Sequence, residues 1–445
     1  MSMITIAIIS LICLFILILL GVHIGFSLSL MSFVGIWLMT GRMKVAISIL
    51  ATTSFEAIRD YSFAVIPLFV LMGCFMTQSG VAKDLFDAMN YNMKRLPGGL
   101  GIATVISNAV FAAVTGVSVA SAAVFSRICL PEMSRHRYRP GFALGAVGGS
   151  SVLGMLIPPS LLMIVYGMIS ETSIGKLFLA GIIPGLILAG IYCIGIIGMS
   201  IAKPELAGRE KNSMGKIVAK AVEDDDNTQF LIVFLKALPI FVIVILVLGG
   251  IWGGFFTPTE ASAVGALSTL ILSVARGMRL KGLKKVLLES AGTTASILFL
   301  LISAQMYSRM LSMSGATVAL GKTVQESSLG AGMVLFAICI ILILLGCVLD
   351  STSILLITVP LILPIAATFG WNLIWLGIVM IIVIEMGLLT PPFGMVVFAM
   401  KATIGEGVEV EEIFKGVIPF ILMMIIAVII IIAFPSLVTW LPNLA

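Results

Sequence analysis

The chain is poor in the groups a soluble protein needs to cover itself. Of its 445 residues only 11% are charged, 26 basic and 21 acidic, while 60% are hydrophobic and mean hydropathy is +1.21. An ordinary globular domain is about 25% charged and about 45–50% apolar. The shortage excludes a soluble enzyme, a nucleic-acid binder and a disordered scaffold. A net charge of +5 suggests no polyanion partner, because the basic residues sit between apolar runs and form no patch. Histidine is scarce too: His23 and His136 are the only two and lie far apart in the chain, which speaks against a zinc centre. The six cysteines lie scattered in apolar stretches with no C-x-x-C spacing, and read as small buried hydrophobes. No G-x-S-x-G elbow occurs. Gly321-Lys322-Thr323 resembles the end of a Walker A loop, but Ala316 stands where its first glycine belongs and no soluble nucleotide-binding domain surrounds it. ATP-driven transport by this chain alone is thereby excluded, and an intramembrane enzyme is left as a minor alternative.

What is abundant is long apolar sequence. A transmembrane helix needs about 20 apolar residues, against about 10 alternating ones for a barrel strand. Full spans are predicted near 4–21, 24–41, 61–79, 140–170, 175–200, 237–256, 260–276, 291–311, 373–402 and 417–440. The first run lacks a basic lead and a small-residue cleavage site, so it reads as a retained helix. Two further stretches, 98–131 and 331–367, are too long for one crossing and are interrupted, at Thr115-Gly116-Val117-Ser118 and at Gly346 with Asp350-Ser351-Thr352-Ser353. Each reads as a re-entrant hairpin of two half-helices, with two ordinary helices apiece as the alternative.

Cytoplasmic loops are enriched in Lys and Arg. With the N-terminus outside, only Arg42, Lys44, Arg59, Lys176, Arg309 and Lys322 of the 26 basic residues fall in outer segments. Both termini are therefore expected outside. The polar connection 203–236, with Glu223-Asp224-Asp225-Asp226 beside several lysines, reads as a solvated cytoplasmic linker between segments 1–202 and 237–445.

Those two segments are related by a constant offset of 233. Gly154-Met155-Leu156-Ile157-Pro158-Pro159 falls on Gly387-Leu388-Leu389-Thr390-Pro391-Pro392, Pro131 on Pro364, Ser118 on Ser351 and Glu56 on Glu289. Five full crossings and one hairpin per half turn the second half upside down relative to the first. The first hairpin then enters from the cytoplasm and the second from outside. Inverted repeats with broken helices mark secondary transporters. The expected fold is an all-α integral membrane protein of two inverted repeats, with about ten spans, two hairpins and two broken helices.

In hydrocarbon an unpaired backbone group costs several kcal/mol, so a break persists only where it lines a cavity or is buried in protein. Double prolines remove amide donors and free the carbonyls a turn earlier, and half-helix C-terminal ends suit a hard cation. Two Na⁺ sites are expected. One combines Thr115, Gly116 and Ser118 with Gly154, Ile157 and Pro158; the other combines Gly346, Asp350, Ser351 and Thr352 with Gly387, Thr390 and Pro391. The alternative is that the small residues only permit close helix packing. Half-helix N-termini near Ser118 and Ser351 favour an anionic substrate held by dipoles and hydroxyls, Thr352 included. Intramembrane acids are functional candidates: Asp350 is a ligand or a helix cap, and Glu385 a coupling acid or a structural partner.

Phe256-Thr257-Pro258-Thr259-Glu260-Ala261, the run from Gly346 to Asp350, and Gly387 to Pro392 resemble the large membrane subunit of tripartite ATP-independent periplasmic (TRAP) transporters over essentially the whole chain. The resemblance implies Na⁺-coupled uptake of an organic acid, such as a C4-dicarboxylate, a sialic acid or a related carboxylate or sulfonate. It also implies an elevator motion, the bacterial inner membrane, a small membrane subunit and a periplasmic substrate-binding protein, with no organic cofactor. The alternatives are a single-component Na⁺/anion symporter and a channel.

Overall fold

A computed structural model describes residues 2–59, 61–211, 217–219, 230–327 and 329–444. The acidic run at 223–226 lies outside the described residues. The first half contains α1 (Met3–Leu19), α2 (Ile24–Thr40), α3 (Met43–Arg59), α4 (Val65–Gln78), α5 (Val81–Met93), α6 (Gly99–Thr115), α7 (Ser118–Arg135), α8 (Pro140–Ser151), α9 (Leu153–Leu156), α10 (Leu161–Ile169) and α11 (Ile174–Ala202). The second contains α12 (Phe230–Trp252), α13 (Pro258–Ala275), α14 (Leu280–Ser314), α15 (Ala316–Glu326), α16 (Ala331–Gly346), α17 (Ser351–Phe369), α18 (Leu373–Gly387), α19 (Met395–Ile404), α20 (Val410–Ala433) and α21 (Ser436–Leu444). Among the described residues the regular structure is helical apart from a ribbon of two three-residue strands, Arg209–Lys211 and Ile217–Ala219, in the connection between halves.

Local chemistry sets many of these ends. Thr257 and Glu260 form a reciprocal capping box that starts α13 beside Pro258, so T-P-T-E is a helix-start device in this fold. Phe434 leaves the helical region ahead of Pro435, which splits the predicted span 417–440 into α20 and the separate α21. The span predicted at 291–311 is the inner part of the 35-residue α14. Helix α12 begins at Phe230, so the last residues of the predicted linker 203–236 are helical. Helices α3, α5 and α15 were not among the predicted spans; each mixes charged and apolar residues, and at 17, 13 and 11 residues they are short for a crossing.

Eight helical segments among the described residues are long and apolar enough to cross a membrane. Their outer faces match that solvent. Ile4, Ile8, Ile12 and Ile16 of α1 recur every fourth residue, one helix face, and all are exposed, while Ala7 and Leu14 on the opposite side are buried. Apolar faces of this size mark a membrane-contacting surface. The chain is a multi-pass membrane protein.

Element ends recur at the offset of 233. Helix α1 ends at Leu19 and α12 at Trp252; α7 starts at Ser118 and α17 at Ser351. Contacts between the halves are reciprocal as well. Helix α4 packs on α13 and α2 on α14; α7 packs on α19 and α17 on α10; α8 packs on α20 and α18 on α11. Such exchange of partners is what a two-fold relation generates. Helices α8 and α18 are buried on nearly every face and form the centre of the molecule.

Candidate functional site

The two interrupted stretches each fold as a pair of helices joined by a short turn, and the two turns lie against the broken segments of the central helices. Arms of 17, 18, 16 and 19 residues run longer than half-helices. At 1.5 Å per residue they measure about 24–29 Å, close to the roughly 30 Å of a hydrocarbon core.

In the first turn α6 ends at Thr115, Gly116 adopts φ +63°, and Val117 is extended before Ser118 starts α7. The left-handed conformation at Gly116 reverses the chain without a Cβ penalty. A Cβ there would also lie 2.8 Å from the Pro159 carbonyl oxygen. The Leu161 amide donates to the Gly116 carbonyl at 3.3 Å, and Gly154 abuts the Val117 and Ser118 backbone, its virtual Cβ 3.1–3.2 Å away. Thr115, Gly116, Ser118 and Gly154 are thus brought together. Ile157 and Pro158 stand one step aside: the Ile157 side chain packs on Gly185 of α11. Pro159 and Ser160 line the small recess at the turn instead, with Thr115 and with Phe69 and Met72 of α4. That recess, about 10 Å³, is on the scale of one water molecule. Ser160, which the sequence reading passed over, caps α10 and donates back to the Met155 carbonyl. Its position directly after a double proline and before an apolar run was the available signal.

In the second turn Asp350 is the N-cap of α17. It accepts from the Ser353 amide at 3.1 Å and from the Ser353 hydroxyl. Of its two sequence readings, capping is the one with contacts. Gly346 and Gly387 meet backbone to backbone, a virtual Cβ on either lying 2.7 Å from the other's Cα, so α16 and α18 cross at the closest approach helices permit. Thr390 donates its hydroxyl to the Met386 carbonyl at 2.8 Å, as Thr115 does to Phe111 at 3.0 Å. Thr352 is buried beside Ser351, and Pro391 is exposed. The Pro158–Pro159 and Pro391–Pro392 bonds are both cis.

Glu385 joins the two turns. It is 1% exposed in α18, and the Ser351 hydroxyl donates to its Oε1 at 2.8 Å. The Ser118 hydroxyl faces the same carboxyl, and the Tyr192 hydroxyl of α11 lies within electrostatic reach. Among the described residues, Glu385 Oε2, Ser118 Oγ and Tyr192 Oη are buried without a hydrogen-bond partner. Native structures rarely leave such atoms unpaired. Unpaired carboxylate and hydroxyl oxygens at one place form a donor set that suits a hard cation or a proton. Sequence reasoning singled out Glu385 by its depth but missed Tyr192, whose hydroxyl gives no signal in an apolar span.

The arrangement can be set beside known proteins. Residues 11–437 match the family described as "Tripartite ATP-independent periplasmic transporter, DctM component". The chain is 35% identical over 396 residues to the C4-dicarboxylate TRAP transporter large permease protein DctM of Pseudomonas aeruginosa, covering 88% of this chain and 89% of the relative. It is 28% identical over 426 residues to the sialic acid TRAP transporter large permease protein SiaM of Vibrio cholerae, with 95% of each covered. Among solved structures it resembles the Alcanivorax borkumensis YdaH transporter, described as having an unusual topology, with a TM-score of 0.60 at 12% identity over 88% of this chain and 90% of that one. This last likeness concerns the fold. With the family matched from residue 11 to residue 437, the chain belongs to the DctM components, the large permeases, of tripartite ATP-independent periplasmic transporters.

Proposed function

We propose that this permease carries out Na⁺-coupled secondary uptake of an organic acid anion, received from a periplasmic substrate-binding protein and assisted by a small membrane subunit. The observation that carries the reading is the convergence of Ser118 and Ser351, the first residues of α7 and α17, on the buried carboxyl of Glu385. Helix N-termini at these two serines bring partial positive charge to one place, where a carboxylate substrate would be held by Ser118, Ser351 and Thr352. The relatives named for C4-dicarboxylates and sialic acid set the first substrates to try.

Two Na⁺ sites flank that place. Thr115, Gly116, Ser118, Gly154, Ile157 and Pro158 would hold one, with Pro159 and Ser160 added by the recess they line. Gly346, Asp350, Ser351, Thr352, Gly387, Thr390 and Pro391 would hold the other. Bound Na⁺ would supply the positive charge that the buried carboxylate lacks, which makes Glu385 the coupling acid. The unpaired oxygens at Glu385 and Ser118 support this fit. We read the halves as inverted repeats, with the hairpins and central helices as the moving part of an elevator. The reading puts the chain in the inner membrane with both termini periplasmic.

The test is reconstitution of the permease with its small subunit in proteoliposomes, with a binding protein added and succinate, sialic acid and isethionate as the panel. Saturable uptake of one acid, driven by an inward Na⁺ gradient and dependent on the binding protein, is expected. Uptake without the binding protein would establish a single-component symporter, and flux that neither saturates nor follows Na⁺ would establish a channel.

A further inference from the structure

A second polar place lies away from the turns. A half-open cavity of about 560 Å³ separates α3 and α14 from the end of α10 and the middle of α17, a volume within the usual range for small-molecule pockets. Its near wall is a polar stripe: Thr53 and Glu56 on α3, and Gln305, Ser308, Arg309 and Ser312 on α14. The four α14 positions fall at i, i+3, i+4 and i+7, one face of the helix. Polar side chains on one face of a helix in this membrane protein point to a watered cavity with a function. The far wall includes Glu171, whose φ of +54° is uncommon for a side chain of that size, and Pro360 of α17. Pro360 is nine residues from Ser351, about 14 Å along the helix at its standard rise. The cavity therefore sits beside the helix that leads to the second turn.

Among the described residues, Arg309 is the only basic one lining it. Its Nη1 lies 3.2 Å from Glu56 Oε2, with both side chains about half exposed, 48% and 59%. A half-exposed pair of this kind is held weakly and exchanges readily with competing ions. The guanidinium fork is shaped for a carboxylate, and the fold already places one there. We infer that this cavity is a loading site for the carboxylate of the transported acid, in which the substrate displaces Glu56 from Arg309 before it reaches the turns. No covalent step is involved; one carboxylate replaces another on the same donors. The inference rests on the reading of the chain as an organic acid permease and adds where, and by which cation, the acid is first recognised.

The experiment is KM measurement for radiolabelled succinate and sialic acid, with the full permease, its small subunit and its binding protein in proteoliposomes. Arg309→Gln is expected to raise KM about tenfold or more, the equivalent of one charge-assisted contact, and to leave Na⁺ half-saturation unchanged. Arg309→Lys keeps the charge without the fork and should fall between. Glu56→Gln removes the internal competitor and should lower KM about two- to fivefold. A purely structural ion pair would make both Arg309→Gln and Glu56→Gln less stable and would not move KM in opposite directions. Should Arg309→Gln fail to elute as a folded species, Glu56→Gln decides alone. Na⁺-driven uptake by the unaltered permease with KM unmoved by these changes would overturn the loading site while leaving the proposed function intact. Absence of any Na⁺-driven acid uptake by the unaltered permease would overturn both.

Discussion

The break after Gly154 and its counterpart after Gly387 share the pattern G-x-x-x-P-P but have different surroundings. Around the first, Pro158, Pro159 and Ser160 are buried, and the backbone of Gly73 in α4 presses on Thr115, its virtual Cβ 3.0 Å from the Thr115 carbonyl oxygen. Around the second, Pro391, Pro392 and Phe393 are exposed, and only Gly394 is covered, by Phe414 of α20. The first break closes on itself, with Leu161 donating to Gly116 and Ser160 to Met155. The second closes with Val396 donating to Leu388 and Thr390 to Met386, and its turn adds the Ser351 bond to Glu385. A repeated sequence thus produces one sealed break and one open break. Carbonyl groups freed by proline must find a partner in a membrane, and at the sealed break the protein supplies part of it. At the open break the protein supplies partners as well, the Val396 amide to the Leu388 carbonyl and the Thr390 hydroxyl to the Met386 carbonyl, so the two breaks differ in exposure.

The largest effect is expected at the glycine crossing. Gly387→Val places a branched side chain where even a Cβ would lie 2.7 Å from the Gly346 backbone. It should abolish uptake and cost more than the roughly 1–3 kcal/mol of ordinary overpacking. Gly154→Ala, against a 3.1 Å contact, should cost less than Gly387→Ala. Thermal unfolding in detergent decides, and equal losses would mean the two crossings are equally tight.

Next comes the acid that both turns share. Glu385→Leu leaves the Ser351 hydroxyl buried without its acceptor, a loss of about 1–3 kcal/mol, and uptake should fall at least about tenfold (about 1.4 kcal/mol). Glu385→Gln keeps an acceptor for Ser351 but removes the charge. Normal Na⁺-driven uptake in the glutamine variant would remove Glu385 from coupling and leave it a structural bridge.

Smaller and opposite in sign are the serines. Ser351→Ala loses a 2.8 Å hydrogen bond and should destabilise by about 1 kcal/mol. Ser118→Ala removes a buried hydroxyl that has no partner among the described residues, so stability should hold or rise slightly. Both should raise the Na⁺ concentration for half-maximal uptake severalfold, about 1 kcal/mol each. A Ser118 variant with unchanged Na⁺ dependence would confine cation binding to the open break.

The smallest effect is at Asp350. As an N-cap its replacement by Ala should cost about 1 kcal/mol, and by Asn much less. An Asn variant of normal stability but weakened Na⁺ dependence would show that the carboxylate serves a cation as well as the cap.

Much of the site could be read from the sequence, because a break in a membrane helix is a local event. Gly116, Asp350 and the double prolines interrupt apolar runs whose continuation hydrophobicity would otherwise impose. Asp350 also showed why the sequence reading had to leave two roles open. Its capping partner is Ser353, three residues away, and the spacing fits a cap as well as a ligand. Ile157 is expected at the cation site by its position before the prolines, where its backbone would serve; its side chain turns to Gly185, a contact no local pattern encodes.

Hydropathy by itself determined that this chain lives in a bilayer, and the offset of 233 marked where its helices break, because the lack of water makes every interruption costly enough to be visible. The tertiary structure decided which of those breaks is sealed, what Glu385 touches, and that Arg309 pairs with Glu56 in the wall of a cavity. The central helices α8 and α18 are buried on nearly all faces and carry no amphipathic stripe to orient them. Their side chains meet partners hundreds of residues away only after the two halves pack, so no periodicity in the sequence records those contacts.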